Sequence, residues 1–479
     1  MESQESQFHG LNWAQETFGP EPRWTVEPEI GAIKQTVQSL RPSSMVKVTF
    51  FAQGAFNKIY NVSIDDEPFI MRVTLPVDPC YKIMSEVATM DLVRRTTGLP
   101  IPRIITYQAS RDNLIGFEWM LMTKLPGKPF GELCQSLSFD AKVCLVRELA
   151  ASSACLFRNQ LRGIGNIYGV PSVVQKSTSS EQNPPPRELV DTIKSVLGKE
   201  SDSDDGSAPM RKNPGASLFN QPSKVSSGGA LSDVGRIVSL QFLWDSHIHQ
   251  DVNRGPFRSS KDWITARLLF NENDCHSTLS KNSAGDPDSD AECEVEDAAR
   301  TLKIIEKLKV LLPLVFPTDD DDDDDDLEPS MISHDDISRQ NILVDDSGKL
   351  TGLLDWECVS AVPLWKACDY PSFLEQRPRL SEPDIKIYKP SDDDDPSELY
   401  FEHLWEYETT LLRDIFIDEM RRLDAGWVEV FEKSQIKRDF DYAVQYCDSE
   451  FSAREIKEWI GDMTADISNP RSMEDRIWS

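Results

Sequence analysis

The spacing of apolar positions between residues 46 and 75 is that of β-strands. β-Branched and aromatic residues alternate with polar ones in KVTFFAQGAFNKIYNVSI and again in EPFIMRVTL, on either side of Asp65-Asp66. A period of two places alternate side chains on opposite faces of a sheet, and paired aspartates suit a turn between antiparallel strands. The segment therefore predicts three antiparallel strands.

The next stretch, residues 81–100, has the period of a helix instead. Its apolar residues recur at spacings of three and four: Ile83, Val87, Met90 and Val93. Gly98 ends this pattern, and two more strand-like runs follow at 101–109 and 116–125. The resulting order, β-β-β-α-β-β, predicts a compact sheet with one long helix.

Beyond Gly127 the helical period dominates, from residues 139–157 to the run that starts at Leu399. Two stretches of a different composition interrupt it. Residues 171–232 are rich in Ser, Pro, Gly, Lys and Asp, and residues 318–328 contain eight consecutive aspartates. Segments of this kind cannot bury enough apolar surface to fold by themselves, so both are predicted to be disordered insertions.

These changes divide the chain into three parts. Residues 1–45 are polar and contain four prolines, which predicts an extended N-terminal arm with one short helix. Residues 46–127 predict a small lobe built on an antiparallel sheet and ending in a hinge. Residues 128–479 predict a larger, mainly helical lobe. The predicted fold class is therefore α+β, with two lobes.

The charge of the chain excludes some classes of partner. The 51 basic and 81 acidic residues give a net charge of −30, and 12 of the acidic residues lie in the aspartate runs at 319–326 and 392–395. Binding to phosphate backbones or anionic lipids requires a basic stripe, which the sequence lacks. Nucleic acid and membranes are therefore not expected partners, and the aspartate runs have the composition of solvated chain.

The cysteines and the apolar stretches predict a cytoplasmic protein. The nine cysteines are scattered and form no CxxC pair, which indicates reduced thiols rather than disulfides or a zinc site. The first residues lack the basic and apolar regions of a signal peptide. The longest apolar stretch, near 308–316, is too short to cross a bilayer.

The stretch ISHDDISRQNILVDDSGKLTGLLDWE, residues 332–357, combines oxygen-bearing side chains with a predicted hairpin. Asn341 follows Asp336 by five residues, and Asp355 lies at the end of the second strand. A loop, strand, turn and strand would bring these three side chains together. Phosphoryl transfer needs a carboxylate for the proton of the attacking hydroxyl and hard oxygen ligands for Mg²⁺. The alternative is an ordinary hairpin with polar turn residues.

This stretch resembles the catalytic loop of the aminoglycoside phosphotransferase family, in its fungal branch of uncharacterised members. The family pattern is His-Gly-Asp, an Asn five residues later, and Ile-Asp-Trp-Glu after a hairpin. This chain has His334-Asp335-Asp336, Asn341 and Leu-Asp-Trp-Glu at 354–357. Asp335 replaces the family's glycine, and aspartate also adopts turn conformations.

The resemblance implies a protein-kinase-like fold and a set of functional residues. It implies Asp336 as the catalytic base and His334 as a residue that orients the loop. It also implies ATP as the phosphate donor and Mg²⁺ held by Asn341 and Asp355.

The same resemblance implies nucleotide contacts in the smaller lobe. Gly54 and Asn57 correspond to the nucleotide loop, although a plain hairpin turn would have the same residues. Arg72, on the third strand, stands where kinases have a lysine that contacts the α- and β-phosphates. Glu86 lies fourteen residues later on the inward face of the helix and is expected to pair with Arg72. A surface ion pair is the alternative for these two residues.

The hinge is expected to bind adenine, through the main chain of Thr123 and Leu125, by analogy with the family. Together, these inferences predict an ATP-dependent kinase whose acceptor is a small-molecule hydroxyl. The alternative is a catalytically degenerate kinase-like module that binds nucleotide or a protein, which the arginine at position 72 favours. A protein kinase is disfavoured because Asp355 is followed by Trp-Glu rather than Phe-Gly. The acceptor and the oligomeric state are left open.

Overall fold

Residues 11–40 form a hairpin and a helix that pack on the rest of the protein. The structure is a computed structural model that describes residues 7–16, 19–169, 233–282, 289–317, 327–388 and 397–478. Strands β1 (Leu11–Glu16) and β2 (Gly19–Trp24) pair antiparallel, and helix α1 (Ile30–Leu40) follows them. Ile33 and Val37 of α1 are completely buried against the neighbouring sheet. The predicted short helix is present, but this part of the chain is packed rather than extended, because those two side chains fill one side of the sheet.

The smaller lobe is the predicted antiparallel sheet with one long helix. Its elements are β3 (Val46–Gln53), β4 (Asn57–Ile64), β5 (Glu67–Thr74), α2 (Tyr81–Thr97), β6 (Ile104–Gln108) and β7 (Glu118–Thr123). The strand order is β3-β4-β5-β7-β6, and every neighbouring pair is antiparallel. The predicted element order is confirmed.

Local backbone chemistry sets the corners of this lobe. Asp65 and Asp66 both have positive φ, 51° and 66°, as the tight turn between β4 and β5 requires. Gly98 ends α2 with φ 70°, the left-handed conformation that a residue without Cβ adopts at least cost. These are the positions at which the sequence predicted a turn and a helix end.

The larger lobe is mainly helical. Its described helices are α3 (Phe130–Leu133), α4 (Phe139–Arg158), α5 (Leu240–Leu243), α6 (Ser260–Asn282), α7 (Ser289–Val315), α8 (Leu364–Ala367), α9 (Glu398–Leu423), α10 (Ala425–Lys433), α11 (Gln435–Gln445), α12 (Ala453–Ala465) and α13 (Met473–Ile477). None of the helices in the described part of the chain is long and apolar enough to cross a membrane.

Two small sheets within the larger lobe support the predicted catalytic stretch. Their strands are β8 (Lys128–Pro129), β9 (Leu161–Arg162), β10 (Pro329–Ser333), β11 (Ile342–Val344), β12 (Leu350–Leu353) and β13 (Ser360–Pro363). One sheet has the order β12-β11-β8 and the other β13-β10-β9. The predicted loop, strand, turn and strand are thus confirmed, and the buried strands β10 and β11 flank the loop on both sides.

The two predicted insertions lie mostly outside the described residues. This holds for the first insertion, 171–232, and for the second, 318–328, except its last two residues. Leu327 is buried, and Glu328 accepts hydrogen bonds from Ser260 at the start of α6. The packed structure therefore resumes at residue 327, five residues before the stretch 332–357.

An apolar cluster joins the two lobes beside α2, and we call it the inter-lobe apolar cluster. Its fully buried members are Phe56, Leu75, Val77, Val238, Leu243 and Cys358, and its partly buried ones are Leu11, Trp13, Trp24, Tyr168, Trp244 and Ile248. Trp244 packs on Trp13 and on Phe56, with ring centroids 5.1 and 5.7 Å apart. The N-terminal hairpin, the sheet and the segment after the first insertion therefore share one core.

The N-terminal end of α2 is anchored to the sheet by a buried carboxyl group. The amide of Cys80, whose φ is 70°, donates to Glu118 Oε1 on β7 at 2.6 Å. Burial raises the pKa of Glu118 to about 7, and this outweighs the lowering by that amide and by Lys82. Glu118 therefore binds a proton more tightly in the folded protein than in the unfolded chain.

Replacing Ile33 by Ala should destabilise the protein by about 2–4 kcal/mol, because a fully buried side chain leaves a cavity. The matched control is Ile30→Ala on the same helix, where the side chain is 44% exposed and the expected change is within about 0.5 kcal/mol. Urea unfolding measures both. Equal, small effects would mean that α1 does not belong to the folded core.

The stability that protonation of Glu118 provides should be lost as the pH rises through its folded pKa of about 7. Between pH 5 and 8 we expect this single group to lower the unfolding free energy by about 2–3 kcal/mol. Glu118→Gln, which cannot ionise, should show a correspondingly flatter profile of melting temperature against pH. Glu67→Gln, at an exposed site, should keep the wild-type profile, and an unchanged profile in Glu118→Gln would contradict the assignment.

Candidate active site

Asp336 and Asn341 form one hydrogen-bonded group in the loop between β10 and β11. Asn341 Nδ2 donates to Asp336 Oδ2 at 2.8 Å and to the Asp336 carbonyl at 3.0 Å. Asp336 is exposed, and among the described residues its Oδ1 accepts no hydrogen bond. One carboxylate oxygen is thus held in place while the other is open to an incoming group.

His334 fixes the conformation of this loop. Its Nε2 lies 2.9 Å from the carbonyl of Leu354, which can only accept, so Nε2 has the proton. Its Nδ1 then accepts from the Asp336 amide at 3.3 Å. Burial lowers the pKa of His334, which keeps the ring neutral, and its edge packs on Trp356 with centroids 4.8 Å apart. This geometry is the one that an orienting role requires.

Asp355 is brought to the loop through the residue before it. The Leu354 amide donates to the Asn341 carbonyl at 2.8 Å, and the Leu354 carbonyl accepts from His334. The Asp355 carboxylate is open to solvent on one side. Asp355 lies where the lobes meet, and partial burial there, together with the charge of Glu357, raises the pKa of Asp355 to about 7. The positive charge of Arg72 lowers this pKa but does not outweigh the other two effects.

The free oxygen atoms at this site suit a magnesium ion. Within the described residues, neither Asn341 Oδ1 nor the Asp355 carboxylate accepts a hydrogen bond. Nowhere in the same residues do three His, Cys, Asp or Glu side chains gather as a complete metal cage. Magnesium is usually bound by one or two protein oxygens together with nucleotide phosphates and water, so an incomplete pair of hard donors fits this ion.

Arg72 and Glu86 form the predicted ion pair, and it is buried. Arg72 Nη2 donates to Glu86 Oε2, and the residues are 7% and 2% exposed. The alternative of a surface pair is therefore wrong. Burial acts in the opposite direction, but the carboxylates of Glu86, Glu357 and Asp355 raise the pKa of Arg72 further above its ordinary value. The guanidinium group is thus permanently charged. It lies near Asp355, the predicted metal ligand, as well as near Glu86 on α2.

A second buried ion pair, Lys82–Glu357, was not predicted from the sequence. Lys82 Nζ donates to Glu357 Oε2, and Asn57 Nδ2 donates to the same oxygen at 2.6 Å. Burial by itself would raise the pKa of Glu357, but Lys82 and Arg72 hold it at about 2. Lys82 lies one helical turn before Glu86, so both side chains are on the same face of α2. This spacing is the feature of the sequence from which a second ion pair could have been predicted.

The predicted nucleotide-loop residues have different surroundings. Both ends of the Asn57 amide are engaged, because its Oδ1 also accepts from Thr74 Oγ1 at 2.9 Å. Gly54 lies in the turn between β3 and β4, where its amide donates to the Asn57 carbonyl at 2.9 Å. A Cβ at Gly54 would meet no atom within 4 Å. The fold itself therefore does not require glycine there, which leaves close approach of a ligand as a reason for it.

Of the two predicted hinge residues, Thr123 is the last residue of β7 and Leu125 follows that strand. The Thr123 amide is already bound to the Arg103 carbonyl at 3.0 Å. The Leu125 main chain makes no hydrogen bond to the described chain, and its side chain packs against Gly352 on β12. The hinge thus contacts the catalytic hairpin, and the Leu125 main chain is available to a ligand.

A family model and curated relatives match this chain. The model described as "Phosphotransferase enzyme family", APH, matches residues 47–156 and 251–366. A subtelomeric hrmA-associated cluster protein of Aspergillus fumigatus is 29% identical over 120 residues, which are 24% of this chain and 24% of that protein. Altered inheritance of mitochondria protein 9, mitochondrial, of Saccharomyces cerevisiae is 25% identical over 158 residues, or 30% of this chain and 25% of that protein. The match thus spans about a quarter of the length of these relatives.

Solved structures of aminoglycoside phosphotransferases are also similar. The crystal structure of APH(4)-Ia has a TM-score of 0.41 and 11% identity, covering 90% of this chain and 99% of that one. A ternary complex of a thermostable mutant of that enzyme with ADP and hygromycin B has a TM-score of 0.37 and 12% identity, covering 88% and 98%. The family model covers both the sheet with α2 and the stretch that contains Asp336, Asn341 and Asp355. The predicted resemblance to the aminoglycoside phosphotransferase family is confirmed by this family model, which matches the chain on both sides of the first insertion.

Proposed function

We propose that this protein transfers the γ-phosphate of ATP to a hydroxyl group of a small molecule, with Asp336 as the general base. The observation that carries the proposal is the arrangement of Asp336, Asn341 and Asp355 around one hydrogen-bonded loop, opposite the buried Arg72–Glu86 pair. A chain that had lost catalysis would have no chemical reason to combine all of these groups.

Asp336 would act on the acceptor hydroxyl. Its Oδ2 is held by Asn341, so its Oδ1 would accept the hydroxyl proton as the oxygen attacks the γ-phosphorus. A bond forms between the acceptor oxygen and phosphorus while the bond from phosphorus to the β–γ bridging oxygen breaks. The products are a phosphate monoester, ADP, and a proton on Asp336.

Asn341 and Asp355 would hold Mg²⁺ through the oxygens described above. When bound, the ion neutralises negative charge on the β- and γ-phosphates. The neutral His334 ring would hold the loop and Leu354 in register, so that the oxygen atoms of Asp336, Asn341 and Asp355 stay directed to the same place.

Arg72 would contact the nucleotide phosphates. Its guanidinium group has several N–H donors, and one of them donates to Glu86. This hydrogen bond orients the group, and the other donors can still bind phosphate oxygens. Gly54 would let the loop approach the phosphates. The hinge would bind adenine through the main chain of Leu125, because the Thr123 amide is already bound to Arg103. The cytoplasmic location and the absence of nucleic-acid or membrane partners stay predictions from composition.

Replacing Asp336 by Ala should lower the turnover of ATP, with or without an acceptor, by about 100- to 10,000-fold, the usual contribution of a general base. Stabilisation of the protein by Mg²⁺ and ADP should be unchanged, because Asp336 is not assigned to the nucleotide. Phosphate release and thermal shift measure these quantities.

The control is Asp346→Ala, in the exposed turn of the same hairpin, which should keep wild-type turnover. Nucleotide stabilisation without any turnover in the wild type would favour the degenerate kinase-like module. Loss of turnover in the Asp346 variant to the same degree would contradict the role of Asp336.

Replacing Arg72 by Lys should raise the KM for ATP by about tenfold, since a point charge on a flexible stem does not reproduce the planar fork. Arg267, which is 3% exposed and paired with Asp441 in the larger lobe, offers a matched control. Arg267→Lys should leave the KM for ATP unchanged even if both variants lose similar stability. Equal KM values in both variants would remove Arg72 from the nucleotide site.

A further inference from the structure

Glu357 receives hydrogen bonds from two residues of the opposite lobe. Lys82 comes from α2 and Asn57 from the first residue of β4, and both donate to Glu357 Oε2. Lys82 is 1% exposed, and its Nζ lies 5.6 Å from the centre of the Phe56 ring. Asn57 is fixed in turn by Thr74 on β5. Two donors of the smaller lobe therefore hold the same oxygen of this carboxylate.

The turn that includes Glu357 has an unfavourable backbone. Asp355 and Cys358 have φ of 59° and 61°, in the left-handed region that residues with a side chain seldom adopt. Trp356 is buried and donates from Nε1 to the Leu353 carbonyl at 3.0 Å. Such a turn persists only where its surroundings hold it, and the smaller lobe holds this one by hydrogen bonds to Glu357 and by apolar packing on Cys358.

The position of Asp355 depends on this turn. Asp355 precedes Glu357 by two residues, and among the described residues its own carboxylate makes no hydrogen bond that would fix it. Its direction is therefore set by the backbone on either side, by Leu354 on one side and by the Glu357 anchor on the other.

We propose that Lys82 is a positioning residue: by binding Glu357 it holds the turn that aims Asp355, and it thereby sets the affinity of the site for magnesium. The inference rests on the proposed function, because it takes Asp355 as a magnesium ligand. Lys82 acts through Glu357 and not on the phosphates, since its Nζ is buried against Phe56 and already bound.

The test uses a double variant in which both charges are removed, Lys82→Met with Glu357→Gln. Removing Lys82 alone would leave the Glu357 carboxylate without its partner and could prevent folding, whereas neutral replacements of similar shape for both avoid this. In Glu357→Gln the amide oxygen can still accept from Lys82, so this variant is also expected to fold. Gln can still accept the hydrogen bond from Asn57. The single variant Glu357→Gln completes the comparison.

The larger lobe offers a matched control pair. Lys142 on α4 donates to Glu408 on α9 at 2.5 Å, and the two side chains are 4% and 13% exposed, against 1% and 14% for Lys82 and Glu357. Lys142 also lies over an aromatic ring, that of Trp405, at 5.7 Å. Lys142→Met with Glu408→Gln therefore removes the same chemistry at the same burial, away from Asp355.

The measurement is thermal stabilisation by ADP at a fixed concentration, first with EDTA and then over a magnesium titration. We expect the Lys82/Glu357 double variant to need about tenfold more magnesium to reach half of the magnesium-dependent rise in melting temperature. Its stabilisation by ADP in EDTA should be unchanged. The Lys142/Glu408 control should titrate as the wild type does. Glu357→Gln alone should show nearly the whole shift, because Lys82 acts through Glu357.

Three results would overturn the inference, and they differ from one another. Loss of ADP stabilisation in EDTA in the double variant, but not in Glu357→Gln, would make Lys82 a direct phosphate ligand. An unchanged magnesium titration in the double variant would remove the positioning role while leaving the proposed function intact. Absence of any magnesium-dependent ADP binding in the wild type would instead refute the proposed function, and the inference with it.

Discussion

The burial of charge where the two lobes meet is the constraint on which the rest of this structure depends. Arg72, Lys82, Glu86 and Glu357 are all withdrawn from water within one small region. An isolated buried charge would be very unfavourable, so each group must have an opposite partner at hydrogen-bonding distance. This requirement fixes the rotation of α2 about its axis, because Lys82 and Glu86 on one face must meet partners from different lobes.

Apolar packing reinforces the same junction from the side. The inter-lobe apolar cluster combines residues of the N-terminal hairpin, the sheet and the segment after the first insertion with Cys358, directly after Glu357. Beside it, Arg236 binds both carboxylate oxygens of Asp78 at 2.9 and 2.8 Å, just before α2. The helix that provides Glu86 and Lys82 is thus held at its N-terminal end by the larger lobe as well as by Glu118. The lobes are joined by more than the hinge, and this makes the relative position of Arg72 and Asp355 a property of the fold.

Much of this could be predicted from local pattern. The strands around Asp65-Asp66, the helix that ends at Gly98 and the hairpin after Asn341 depend on neighbouring residues, and the structure has them where the sequence predicted them. The site residues of the catalytic loop could be predicted for the same reason, since Asp336, Asn341 and Asp355 lie within twenty residues and a hairpin of fixed length brings them together. The packing of α1 could not, because two apolar positions in a polar segment do not reveal the surface that covers them.

The sequence by itself therefore determined the element order, the resemblance to a family and the residues proposed for chemistry, because period, turn chemistry and motif spacing are local properties of a chain. Only the tertiary structure decided that Arg72 and Glu86 are buried rather than at the surface, and that Asn57 is engaged by Glu357 and Thr74. It alone revealed the pairing of Lys82 with Glu357, which are 275 residues apart. Charge pairing of this kind depends on which surfaces meet when the lobes close on each other, and no spacing along the chain encodes that distance.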